Sequence, residues 1–435
     1  MTSSNYLMTD GNIAGNPERR LTERPHEGQV DMQLERTQPG WLSTRVRFLV
    51  IAVIILAVAG VTIPLMAHSR TTGQPSGGAK ASPPALAMTS FAGYAGLPGL
   101  PGAPRLAVKA IASAGGERLA VGSADGYPAI WRQAPGRSWT LVTKPGDLPA
   151  QSAPETLTTV THGPAGWLAV GVPGPVVLTS ADGRTWRSAA GHIEADLGKI
   201  TSVSAAAGPR GYVILGRLAV PGGACVADVW WSADLTSWKQ AHDVNGTDGS
   251  SQTLAVAALT DGFVSVGSHN GKPAAWVTSD GTTWRTIFLS GPANAQLNQI
   301  AVIGTRVVAT GGSDGQGTGA AAFAVSSPDG GATWQQADLR LPAPGTVVTA
   351  LASGKQGWIA AGRYGTPDRP RVVVWKLASG TNAWAQAKVS GITGPGTGKT
   401  PEITALGVSQ DAVTGIGPVS PALTRQAAVF TLPAR

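Results

Sequence analysis

The chain has 435 residues, 42% of them hydrophobic, which is enough for a substantial core. Its 58 glycines and 32 prolines stand against only 13% charged residues, a balance that favours many short strands and tight turns over long surface helices. The formal charge of +8 belongs to the part beyond residue 47, because residues 1–47 hold six arginines and six acids, and the single cysteine, Cys225, excludes an intramolecular disulfide.

Residues 1–47 are polar, short of large apolar side chains and without periodicity, which predicts a disordered tail. Residues 48–67, FLVIAVIILAVAGVTIPLMA, carry no charge and as a helix would span a bilayer core of about 30 Å. Arg36, Arg45 and Arg47 precede this segment and only Arg70 and Lys80 follow it, so the expected arrangement is a single-pass cell-membrane protein with a cytoplasmic N-terminus. A cleaved signal peptide is the competing reading. It would need an n-region of 47 residues and a cleavage site far beyond the apolar run, neither of which is usual. Residues 68–86 are rich in Gly, Ser, Pro and Ala and read as a flexible linker.

From residue 87 to residue 435 the chain repeats. Trp139, Trp186, Trp238, Trp284, Trp334 and Trp384 are separated by 47, 52, 46, 50 and 50 residues. In phase with them run glycine-closed apolar segments ending at Gly122, Gly171, Gly216, Gly267, Gly311, Gly362 and Gly417. Periods of this length with strand-like content predict propeller blades, each with an inner strand, a glycine-closed second strand, a third strand, an Asp-containing turn and an outer strand opening at Trp. The expected fold is all-β, a seven-bladed β-propeller of four-stranded blades preceded by a single transmembrane helix. The last unit stops after three strands, and residues 87–104, with MTSFAGY at 88–94, are the expected ring-closing segment that would leave no open edge.

The turn SSPDGGATW carries Ser327, Asp329, Gly331, Thr333 and Trp334 in the pattern Ser-x-Asp-x-Gly-x-Thr-Trp. Shorter versions carry Ser180, Asp182, Thr185 and Trp186; Asp234 and Trp238; and Asp280 and Trp284. The repeated turn resembles the Asp-box, or bacterial neuraminidase repeat, of sialidase-like propellers, of propellers that assist photosystem assembly, and of bacterial surface proteins. Several boxes in phase over roughly residues 105–435 carry the resemblance. It implies that the box staples a hairpin on the face opposite the ligand loops, with Asp and Ser binding backbone N–H groups, Gly accepting positive φ and Trp packing between blades.

A sialidase-like glycoside hydrolase is the alternative function. By resemblance it would need an arginine cluster, a Tyr activated by a Glu, and an acid. Beyond the apolar segment the chain offers Tyr94, Tyr127, Tyr212 and Tyr364 with Glu117, Glu155, Glu194 and Glu402, and the Arg-Ile-Pro signature expected before the first repeat is missing. GPGTGKT at 394–400 imitates a P-loop but has Thr393 where a Gly is needed, and a strand follows it where a helix should begin. The histidines show no metal-ligand spacing, and no cofactor is expected.

The remaining reading is a non-catalytic extracytoplasmic binding or scaffolding propeller. Its candidate binding residues are Arg363, Tyr364, Asp368, Arg369 and Arg371 in RYGTPDRPR, and His269, Asn270 and Lys272 in GSHNGK, both between second and third strands. A basic exterior suits a protein partner or an anionic envelope polymer, whereas nucleic acid does not fit the location.

Overall fold

The structure is a computed structural model. It describes residues 89–90, 94–96, 106–143, 156–172, 176–189, 193, 200–219, 225–242, 251–313, 321–339, 345–355, 357–366, 369–378, 381–387, 389–390, 403–408, 412–418 and 427–433. The chain divides into two units, residues 1–80 and 81–435, and every described residue lies in the second. The expected tail, apolar span and linker therefore lie outside the described residues. Among the described residues no helix is long and apolar enough to cross a membrane.

Alternating, glycine-punctuated segments fold into antiparallel four-stranded sheets, as their period of two dictates. Blade 1 takes Leu106–Ala114, Glu117–Ala124, Tyr127–Gln133 and Thr140–Leu141 in order; blade 2 takes Leu157–Gly163, Gly166–Gly171, Val176–Ser180 and Arg187–Ser188. Blade 3 is Ile200–Gly208, Gly211–Ala219, Cys225–Ser232 and Lys239–Ala241, and blade 4 is Ser251–Leu259, Gly262–His269, Lys272–Thr278 and Arg285–Phe288. Blade 5 is Ala295–Ile303, Arg306–Ser313, Ala322–Ser327 and Gln335–Ala337; blade 6 is Val347–Gly354, Gly357–Thr366, Arg369–Ala378 and Ala385–Ala387.

The protein is an all-β propeller with six blades of four consecutive strands, where the sequence suggested seven after a transmembrane helix. The remaining sheet is a composite. Its order is Tyr94–Gly96, Ala427–Pro433, Ala412–Pro418 and Ala405–Val408, so three strands come from the C-terminal part and one from ahead of blade 1. Its outer place, which each of the six blades fills from its own repeat, is taken by Tyr94–Gly96. Thr89–Ser90 does not join this sheet but pairs in parallel with Val389–Ser390, just after blade 6.

The composite sheet sits between blades 6 and 1. Thr349 Oγ1 of blade 6 donates to Ile403 O at 2.6 Å, and Arg118 Nη1 of blade 1 donates to Thr414 Oγ1 at 2.9 Å. Burial pushes the Arg118 guanidinium below its ordinary value. Elsewhere neighbouring blades share apolar clusters. Ala206, Val213, Leu215, Ala227 and Val229 of blade 3, for example, pack with Val256 and Phe263 of blade 4. Trp131, Trp230, Trp276 and Trp375 occupy one equivalent place in the third strands of blades 1, 3, 4 and 6, and all are fully buried.

The glycine that closes each second strand has a steric cause. The innermost strand of each of the six blades is interrupted by a one-residue bulge, as between Val108 and Ala110 or Leu297 and Gln299. The bulge drives a carbonyl toward the second strand. A Cβ on Gly122, Gly267 or Gly311 would stand 1.8, 1.7 or 1.8 Å from the carbonyl oxygen of Ala107, Gln252 or Gln296. Gly171 and Gly362 meet Thr156 O and Val347 O at 2.5 and 2.2 Å, while Gly216 meets the Ile200 side chain instead. Gly311→Ala is therefore expected to cost about 1 to 3 kcal/mol. The adjacent Gly312→Ala, whose Cβ would meet only Ala321 O at 3.6 Å, should stay within about 0.5 kcal/mol in urea unfolding.

Candidate functional site

The Asp-containing turns join third to fourth strands at one end of the blades. In blade 5, Asp329 accepts from Thr333 N at 2.8 Å and Thr333 Oγ1 at 2.7 Å, Ser327 Oγ donates to Asp329 Oδ1 at 2.8 Å, and Gly331 N donates back to Ser327 Oγ at 2.8 Å. Trp334 Nε1 closes the turn on Gly331 O at 2.8 Å. Ser180, Asp182, Thr185 and Trp186 repeat this network in blade 2. In blade 4 Thr278 takes the serine's place beside Asp280. In blade 3 Leu235 takes the place of the glycine at φ 64° and buries its side chain against Leu168, Val170 and Val177 of blade 2. Trp238 and Trp284 pack between blades as Trp186 and Trp334 do.

These carboxylates are committed to backbone N–H groups. Hydrogen bonds from Ser237 and Thr236 hold the Asp234 carboxyl at about 2. Bonds from Thr185 and Arg184 lower Asp182. For Asp280 and Asp329 burial pushes upward, but the bonds from Thr283 and Thr282, and from Thr333, outweigh it and leave both carboxyls low. They stay ionised at neutral pH and hold their own turns together, which is not the state of a general acid.

The opposite end carries the hairpins between second and third strands and the crossings between blades. The predicted blade 6 residues lie largely in strands and not in a loop, since Gly357–Thr366 and Arg369–Ala378 extend to ten residues each. Tyr364 pairs directly with Arg371, so the two share a face, and Tyr364 packs against the apolar cluster between blades 5 and 6. Arg363 pairs with Val372 and lies on the other face, toward the composite sheet, where it is exposed. Arg369 pairs with Thr366 in the backbone, and Asp368 lies outside the described residues.

The blade 4 residues form a separate group, with blade 5 between them and blade 6. Asn270 and Gly271 make the turn with φ values of 51° and 69°, and His269 pairs with Lys272 across it. His269 Nδ1 is hydrogen-bonded to Ser251 Oγ, Asn270 Nδ2 lies 3.0 Å from His269 Nε2, and the Phe288 ring stands 5.0 Å from the imidazole. The sequence reading missed Phe288 and Arg217. Arg217 follows Gly216 as Arg363 follows Gly362, so aligning the repeats on the glycine would have found it. It missed as well the buried Asp228, which meets His242 Nδ1 at 2.8 Å where other blades hold an apolar residue.

The tyrosines and glutamates do not assemble among the described residues. Tyr212 is fully buried; its hydroxyl donates to Gly166 O at 2.9 Å and accepts from Ala165 N at 2.7 Å, and burial pushes its pKa up. Glu117 is paired with Arg132, while Glu155, Glu194 and Glu402 lie outside the described residues, as does the P-loop-like stretch 394–400. Among the described residues no group of three His, Cys, Asp or Glu side chains is arranged to hold a metal.

No family model and no curated protein matches the sequence. Among solved structures the fold is similar to the WD40 β-propeller domain of Doa1, at 14% identity over 78% of this chain and 97% of that chain, with a TM-score of 0.44. YCF48 bound to D1 peptide is 11% identical over 78% and 96%, with a TM-score of 0.35. Trypanosoma rangeli sialidase is 12% identical over 75% of this chain and 54% of that one, with a TM-score of 0.39. These likenesses assign no ligand or activity; the propeller stands on its own sheets and register.

A carboxyl lowered on folding stabilises the protein fully above its unfolded value, near pH 4, and loses that contribution as pH falls through the folded value. The box acids should therefore produce a fall in urea midpoint between about pH 4 and pH 2. Asp182→Asn with Asp329→Asn should flatten that fall; an unchanged slope would mean that the turns do not depend on charge.

Proposed function

We propose that the protein is a non-catalytic Asp-box propeller that recognises a protein or an anionic envelope component outside the cell, tethered to the membrane by residues 48–67. The observation that carries this reading is the blade 6 hairpin, whose two ten-residue strands are the longest among the described residues. It extends at the end away from the Asp turns and presents Arg363 on one face and Arg371 on the other. Two exposed arginines on one β-hairpin suit polyanions and acidic surfaces. The internal commitment of Tyr212 and Glu117 supports binding over glycoside hydrolysis.

Attraction between exposed charges is screened beyond about 8 Å at physiological salt. Binding of the full chain to teichoic acid, anionic lipid vesicles or membrane extract should therefore weaken steeply as salt rises. Arg363→Glu with Arg369→Glu should weaken it further while leaving the melting temperature in place. Salt-independent binding, or turnover of a fluorogenic glycoside panel, counts against the proposal. The tether has its own test: protease added to protoplasts should degrade the propeller and spare residues 1–47, and a shortened form released into the medium would refute anchoring.

A further inference from the structure

The seam between blades 3 and 4 gathers charges that the sequence leaves far apart. Arg217 lies on the face of its strand that carries Val213 and Leu215, and these pack on Val256 and Phe263 of blade 4. His269 lies on the face that carries Phe263, with Ser251 and Lys272 as its cross-strand partners. Arg217 and the His269 group therefore line the same seam from its two sides, at the end away from the Asp turns. Arg217 Nη1 spans it by donating to Gln252 Oε1 at 3.3 Å.

Among the described residues this seam is cationic and incompletely satisfied. Among the described residues neither Arg217 nor Lys272 has an ion-pair partner. Arg217 Nε and Thr253 Oγ1 are buried there without a hydrogen-bond partner among the described residues. The described acids of the two blades stand elsewhere. Asp228 is on the other face of its strand beside His242, and Asp234, Asp261 and Asp280 lie in turns at the opposite end. Beside the cations, Phe288 is 70% exposed, on the same face as Lys272.

We propose that this seam is a docking site for an acidic peptide, whose carboxylate lies against Arg217 and Lys272 and whose neighbouring apolar side chain covers Phe288. The polar neutral groups favour a peptide over a saccharide. Ser251, His269 and Asn270 are bonded to one another, and hydroxyl-rich sugars need such groups free. What remains is a guanidinium, an ammonium and an exposed ring, a set that matches a carboxylate next to an apolar side chain. The proposal rests on the reading of the propeller as a binding module, but not on the blade 6 hairpin.

Fluorescence anisotropy on the full chain, with a fluorescein-labelled peptide of alternating glutamate and leucine, tests it. Binding should weaken about tenfold on combining Arg217→Gln with Lys272→Gln, and its salt dependence should flatten. Phe288→Ser should weaken binding and leave the salt dependence unchanged; because Phe288 is exposed, the melting temperature should hold. Arg363→Glu with Arg369→Glu should weaken binding of this peptide far less than Arg217→Gln with Lys272→Gln does. The proposal is overturned by no binding to the unsubstituted chain, by equal binding of a glutamine-for-glutamate peptide, or by displacement with oligogalacturonate at lower concentration than with unlabelled peptide. Loss of peptide binding in the blade 6 variant alone would move the peptide to that hairpin, overturning this site while preserving the broader binding reading.

Discussion

The propeller depends on the close approach of a bulged inner strand to the strand beside it. At the bulge a carbonyl oxygen is driven to where the second strand's next Cβ would stand, 1.7 Å away at Gly267 and 1.8 Å at Gly122 and Gly311. Only a glycine fits. The absent side chain lets the bulged strand and the second strand pack closely, and the second strand then runs on to the hairpins at the other end. Bulges at one place in six blades give the inner strands a common bend, and the tryptophans of the third strands fill the wedge that opens outward between neighbouring sheets.

The two ends of the blades are built on different chemistry. At the end with the Asp turns, polar capacity is spent within the turn: each aspartate takes backbone N–H groups, each serine or threonine bonds the aspartate, and the Tyr212 hydroxyl bridges blade 3 to blade 2. At the other end, charges face outward. Lys272, Arg363 and Arg371 are exposed while Arg217 is half-buried in the seam between blades 3 and 4, and their neighbours are hairpins whose lengths differ from blade to blade. The Asp turns thus hold their own polar groups, while the hairpins at the other end vary in length.

The composite sheet shows how far repetition can determine a ring. Six repeats each make a complete blade because each contains its own outer strand. In the composite sheet Tyr94–Gly96 takes the outer place, pairing with Ala428, Val429 and Phe430. The segment just before it is drawn to a different neighbour, Val389–Ser390, so the chain ahead of blade 1 touches both sides of the junction.

Period, turn chemistry and the in-phase glycines sufficed to read an all-β propeller, because those signals are local and recur. The Asp turns were legible for the same reason: every partner of Asp329 lies within a few residues of it. Sequence alone could not say why the glycine is needed, since the clashing oxygen at Gly311 belongs to Gln296 on another strand. Nor could it group the charges. Arg363 and Arg371 are close in the chain, yet strand alternation turns them to opposite faces, whereas Arg217 and Lys272 are far apart in the chain and line one seam because blades 3 and 4 pack face to face. Local spacing decides which way a side chain points; only the packing of one sheet on the next decides which side chains meet.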